Sequence, residues 1–118
     1  MQESTAVVAV DGEIDAVNSD ELVEFALRDD AHPDRLIVDL SRVSFFATAG
    51  FTALHALNVQ CANDGVRWMV VTSPAVDRVL RICDPDSALP VCANVAAALN
   101  AVHGEPSRLL QLVAKAGP

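Results

Sequence analysis

The chain has 118 residues, 52% of them hydrophobic and 20% charged, which is about one domain's worth with enough apolar material for a core and excludes a disordered, solvating tail. Sixteen acidic side chains against eight basic ones give a net charge of −8, which repels polyanionic backbones and anionic lipid and so excludes nucleic acid and the membrane surface as direct partners. No apolar run approaches the roughly 18 residues of a membrane span, and the first ten residues lack a basic stretch leading into an apolar one, so the chain is expected in the cytoplasm.

Thr5 to Val10 is a β-branched run ending at the turn signal Asp11-Gly12 and predicts a strand. Asn18 is placed to cap a helix, with Glu21 as the acidic half of a capping box and Val17 with Leu22 as a hydrophobic staple. Leu22, Phe25 and Ala26 then form the inner stripe of a helix to about Asp30. After the His32-Pro33-Asp34 break, Leu36 to Leu40 is nearly all apolar, as a strand covered on both faces would be. Thr48 to Asn63 carries Phe51, Leu54, Leu57 and Cys61 at helical spacing, and Gly65 is available for a left-handed stop. Trp68 to Thr72 predicts a third strand. Ser73 and Pro74 open a helix whose inner face is Val76, Val79, Leu80 and Cys83. Leu89 to Cys92 follows as a short strand, and Asn94 to Val102 as a helix. A Gly104/Pro106 break precedes a last helical piece, Ser107 to Ala116, whose leucines are apolar enough to dock on something. Alternating strands and helices predict an α/β domain with parallel strands, and any site belongs at the carboxyl ends of those strands.

Several chemistries fail on the residues. A phosphorylatable receiver needs clustered carboxylates, an acceptor Asp and a Lys at successive strand ends. Here Thr72 and Cys92 stand at later ends and the single Lys is Lys115. No phosphate-cradling or dinucleotide motif occurs among the five glycines, and no nucleophile elbow occurs. His32, His55 and His103 have no nucleophile at a recognisable spacing. The chain is therefore expected not to be an enzyme, with no cofactor and no metal. Only Phe25, Phe45, Phe46, Phe51 and Trp68 are aromatic, which argues against base stacking. Cys61, Cys83 and Cys92 are odd in number and lack zinc spacing, so a reduced, packing role is expected. Charge is uneven: residues 1–64 hold twelve acids and three Arg, net −9, against net +1 in the remainder. A partner of the first half should be basic.

The segment Val38 to Leu54, which reads VDLSRVSFFATAGFTAL, resembles the central motif of STAS domains, the anti-sigma factor antagonists. Val10 to Asp15 and Thr72 to Leu80 resemble two further stretches of that family in the same order, so the likeness spans most of residues 6–102. The resemblance implies a single STAS-like domain over residues 1–118. Its mixed sheet would have a mainly parallel core, covered by about four helices, within a core of about 5–103, and a helical extension would run over about 107–116. It implies a bacterial transcription regulator that frees a sigma factor by partner switching, binding a kinase-like anti-sigma factor. Phosphorylation at Thr48 would control that binding, and Thr48 is also a good helix N-cap. The implied partner surface comprises Asp11, Glu13, Asp15, Ser44, Ala47, Thr48, Ala49, Gly50, Phe51, Thr52 and Ser73. Two departures stand out. Ala47 occupies the family's Asp position, and residues 1–4 are too short for the family's first edge strand, so either the sheet is smaller or a second chain, as in a homodimer, covers the edge. Two alternatives remain open: a redox-responsive or small-ligand STAS module pairing two of its cysteines, and an accessory subunit docking through its C-terminal piece.

Overall fold

The computed structural model describes residues 5–27, 34–102 and 108–115. Strand β1 (Thr5–Ile14) leads through helix α1 (Ser19–Leu27) to β2 (Arg35–Phe46), and α2 (Thr48–Asp64) leads to β3 (Arg67–Val71). Helix α3 (Pro74–Cys83), strand β4 (Val91–Cys92), helix α4 (Val95–Ala101) and strand β5 (Arg108–Ala114) follow. The strands form one sheet in the order β4-β3-β2-β1-β5, and every pairing is parallel. The α/β class is as expected, but the described strands make a parallel sheet and not a mixed one.

The connections explain the layers. From β1 to β4 the chain moves across the sheet in one direction, so right-handed crossovers put α1, α2 and α3 on one face. Val8, Val10, Val38, Leu40 and Val70 meet Leu22, Leu54, Leu57 and Val76 there in the main core. The step from β4 back to β5 reverses direction, and α4 accordingly lies on the other face, where Ala98 and Val102 pack on Val7, Ile37 and Val71. Gly65 closes α2 in the left-handed conformation, and Ser73 and Asn94 cap α3 and α4, accepting from the Val76 and Ala97 N–H groups.

Four expectations are corrected. Residues 107–116 do not form a helical extension: 108–114 are strand β5, paired to the outer edge of β1 from Ala6↔Arg108 to Gly12↔Ala114. A strand as buried as β1 needs partners for its edge amides, and this outweighs the weak preference of an isolated ten-residue helix. Alternation then sends Leu112 and Ala114 toward the core, while Leu109 and Val113 are 63% and 68% exposed. The edge is thus covered from within the chain, which removes the reason for expecting a second copy there.

Second, Asp11-Gly12 is not a turn. Both β1 and β2 run on beyond it with two register shifts, between Ala9 and Asp11 and between Gly12 and Glu13. Third, Asn18 is buried, and its side chain does not cap α1. Its Oδ1 accepts the Asp15 N–H at 2.9 Å, and its Nδ2 donates to the carbonyls of Glu13 (2.8 Å) and Lys115 (2.7 Å). A buried amide needs partners, and these three bonds use both of its N–H donors and its oxygen. Val17 is exposed, so there is no staple. Fourth, the fourth strand begins at Val91 and not Leu89. The end of α1 beyond Leu27, the His32-Pro33 break and the Gly104/Pro106 break lie outside the described residues.

Gly12 carries φ +113°, and a Cβ there would stand 2.1 Å from the Ala114 carbonyl oxygen. Gly65, at φ +70°, has nothing within 4 Å of that position. Gly65→Ala should therefore cost about 1 kcal/mol, the left-handed penalty alone. Gly12→Ala should cost about 3 kcal/mol, because backbone must move as well. Urea unfolding midpoints check the ranking, and hydrogen exchange should show β5 released first in Gly12→Ala.

Candidate functional site

The carboxyl ends of β1, β2 and β3 converge on the start of α2. Ala47 is extended (φ −85°, ψ 169°), and its N–H donates to the Ile14 carbonyl at 2.9 Å, pinning the turn to the end of β1. Helix α2 then begins at Thr48, so Thr48 is the first helical residue. The N-cap position is Ala47, which has no side-chain bond to offer. The expectation that Thr48 caps the helix is corrected. Its side chain is exposed, and its hydroxyl makes no hydrogen bond among the described residues. Phe46 is buried beneath this first turn, and a Cβ on Gly50 would lie 2.5 Å from the Phe46 ring. The glycine is what lets the helix start directly over the aromatic ring.

The third strand end is tied in by Ser73, whose buried Oγ donates to the Val43 carbonyl at 2.7 Å and accepts the Val76 N–H at 3.3 Å. This fixes α3 beside the β2–α2 corner. Between them lies a groove of about 240 Å3 lined by Ser44, Phe45, Phe46, Thr48, Ala75, Arg78, Val79, Ile82 and Cys83. Phe45 is 50% exposed and Ile82 79% exposed, so the groove opens onto an apolar surface beside Thr48. An exposed apolar patch of this kind marks a candidate binding surface.

The expected partner-binding residues divide. Ser44 and Thr48 line the groove, and Ala47 forms its turn; Ser44 Oγ also donates to the Gly12 carbonyl at 3.2 Å. Thr52 is exposed on the next turn of α2, while Ala49 and Phe51 are half-buried. The Phe51 ring packs toward the core and stacks on His55 with centroids 6.3 Å apart. Gly50 and Ser73 are buried and position the site from within. Asp11 and Glu13 are exposed on β1, with Asp11 3.9 Å from the Arg42 guanidinium. Asp15 is half-buried and folds back on its own loop: its Oδ1 accepts the N–H groups of Val17 (2.9 Å) and Asn18 (3.2 Å). Phe45, Arg78 and Ile82 are groove residues that the sequence reading missed. Ile82 carried a signal, being a large apolar residue outside the inner stripe of α3. His32 and His103 lie outside the described residues.

The three cysteines are free. Cys61 is buried in the main core, where burial first and the Asp64 carboxylate second push its thiol up to about 11. Cys83 lines the groove, whereas Cys92 packs with the α4 cluster on the opposite face of the sheet. Among the described residues no acidic, histidine and cysteine side chains cluster as a metal site would require. No described helix is long and apolar enough to cross a membrane.

Two outcomes follow from this geometry. At neutral pH an alkylating reagent should modify Cys83 and Cys92 on the folded protein but reach Cys61 only on unfolding, as read by intact mass. Gly50→Ala gains about 1 kcal/mol of helix propensity but pushes on a buried ring, at about 1 to 3 kcal/mol. The clash should win because the ring cannot swing into solvent. Phe46→Leu in the same chain should recover part of the urea midpoint, giving a non-additive pair.

The chain matches the family model of the STAS domain over residues 1–98. It is 35% identical over 111 residues to Osmosensory protein A of Mycobacterium tuberculosis, covering 91% of this chain and 70% of that protein. An anti-sigma factor antagonist from Mycobacterium paratuberculosis, known from its crystal structure, is similar with a TM-score of 0.69 at 30% identity, over 82% of this chain and 86% of that one. The STAS domain of a SulP transporter from Vibrio cholerae gives a TM-score of 0.66 at 18% identity, over 87% and 84% of the two chains, a likeness of fold alone. With the parallel sheet, the three matching strand ends and a family match across most of its length, the chain belongs to the STAS domain family.

Proposed function

We propose that this chain is an anti-sigma factor antagonist that binds a kinase-like anti-sigma factor by partner switching, and that phosphorylation of Thr48 ends the binding. The observation that carries the reading is the exposed Thr48 hydroxyl at the lip of a groove with Phe45 and Ile82 open to solvent. The similarity to a mycobacterial anti-sigma factor antagonist at 30% identity supports it. In the transfer, Thr48 Oγ1 bonds the γ-phosphorus of a nucleoside triphosphate, its proton passes to a base of the kinase, and the diphosphate leaves with the bridging oxygen. The product carries about −1.5 to −2 charges at pH 7. The first turn of α2, with its open N–H groups, tolerates that charge, whereas an apolar partner surface seated in the groove does not. The reaction is the partner's, and this chain is substrate and ligand. No step requires a cofactor here.

The acidic first half of the chain steers toward a basic partner, with Asp11 and Glu13 exposed near the same end of the sheet. Binding measured by calorimetry against candidate anti-sigma kinases from the same genome tests the reading. Thr48→Val should bind like the parent chain, and Thr48→Glu at least about tenfold more weakly. Phe45→Ala and Ile82→Ala should each lose about 1 to 2 kcal/mol of affinity while leaving the urea midpoint nearly unchanged, since both side chains are half or more exposed. Equal binding by Thr48→Val and Thr48→Glu overturns the switch.

A further inference from the structure

Arg78 is the one charged residue lining the groove among the described residues, and it reaches the groove from α3 while Thr48 reaches it from α2. Arg78 makes no hydrogen bond or ion pair among the described residues, and neither does the Thr48 hydroxyl. Arg67 and Arg81 are likewise without a side-chain partner among the described residues, so what distinguishes Arg78 is its place in the groove beside Thr48. Asp77 and Arg81 share the helix with Arg78 but line a different depression, toward the Asp84–Leu89 loop. The groove therefore holds the Thr48 hydroxyl, the Ser44 hydroxyl, which donates to the Gly12 carbonyl, one uncommitted guanidinium, no carboxylate, and two apolar side chains at its mouth.

We propose that Arg78 receives the phosphate placed on Thr48, so that phosphorylation closes the groove from within by drawing the guanidinium across Phe45 and Ile82. This rests on the phosphoacceptor reading of Thr48 above. A phosphothreonine presents three acceptor oxygens, and the planar guanidinium fork is the side chain best matched to two of them at once. With Ala47 in the turn, no neighbouring carboxylate of that turn competes for the cation. The device adds obstruction to repulsion: a partner must displace both the charge and the side chain now lying over the apolar mouth. A lysine in place of Arg78 would keep the charge and lose the fork.

The test needs no partner. Full-length chain carrying phosphothreonine at position 48, installed during synthesis, is titrated by phosphorus NMR beside the same chain with Arg78→Gln and with Arg78→Lys. The second phosphate pKa should be about half a unit or more lower with Arg78 than with Gln, and Lys should keep only part of the shift. The Ile82 methyl signal should move on phosphorylation in the parent and stay put in Arg78→Gln. Equal pKa values with Arg78 and Gln overturn the proposal, whether both are low, in which case the α2 terminus alone holds the phosphate, or both are ordinary. An unmoved Ile82 methyl in the parent overturns the closure. Failure here leaves the binding assay above untouched, and failure of that assay leaves this measurement intact, so the two readings fall separately.

Discussion

The site depends on the parallel pairing of β1 with β2 being carried past the point where both strands would ordinarily end. Nine residues of β1 pair with β2, across two register shifts, as far as Ile14↔Phe46. The last backbone bond of this ladder is the one from the Ala47 N–H to the Ile14 carbonyl. That bond is outside the strands yet decides where α2 starts, because Ala47 is the residue before its first turn. Asn18 then binds the Glu13 and Lys115 carbonyls together, so the end of β5 and the turn after β1 are held by one buried amide. The bond to Lys115 spans 97 residues of chain and lies just beyond the end of the β1–β5 ladder. Release of β5 would expose the edge of β1 and loosen the turn that carries the site.

A rigid scaffold under an exposed first turn has an energetic logic. Phe46, Val43 and Ser73 are buried within the corner, and the Ser73 hydroxyl is fully used by one donated and one accepted bond. The first turn of α2 rests on this corner with no side-chain cap of its own, so its position is set by packing and not by local capping. Modification of an exposed first-turn residue can change the charge of the surface without touching what holds it, which is the condition for a switch that spares the fold. The apolar mouth formed by Phe45 and Ile82 is costly to a monomer in water, and the net charge of −8 keeps such a surface soluble.

Much of this was legible before the structure. The buried strands around Ile37 and Val70, the α2 stripe with its Gly65 stop, and the Ser73-Pro74 start of α3 follow from periodicity and capping alone, because short-range physics decides them. The C-terminal strand did not. Leu109, Leu110, Leu112 and Val113 fit a helical stripe as well as an alternating strand, and only the empty edge of β1, a hundred residues earlier in the chain, settles the matter. The family match ends at residue 98, so the resemblance could not have supplied the strand either. Asp11-Gly12 misled for a related reason: glycine is required at a turn and also where backbones crowd, and at Gly12 the crowding is with Ala114. For the site, the α2 turn was readable from its motif. The groove was not, because Phe45, Arg78 and Ile82 become neighbours of Thr48 only when α3 is seated against β2.

The substitution that sets this chain apart from the family pattern, Ala47, gains a physical meaning from that seating. A carboxylate beside Thr48 would be a permanent anion at the turn and a standing partner for any nearby cation. The groove's guanidinium would then be compensated in both states of the switch, and a phosphate would add to an existing negative charge. With a methyl group at 47 the turn carries no charged side chain, so on the proposed reading the whole electrostatic contrast between the unmodified and phosphorylated states would come from one group. Acidity has not been lost from this end of the molecule, since Asp11 and Glu13 remain exposed on β1. These carboxylates stand off the turn and do not line the groove, and from there they would act on an approaching partner over the range of the Debye length, about 8 to 10 Å. On the proposed reading, steering falls to Asp11 and Glu13 and switching to Thr48, so the charge that would attract a partner need not change when the charge that would reject it arrives.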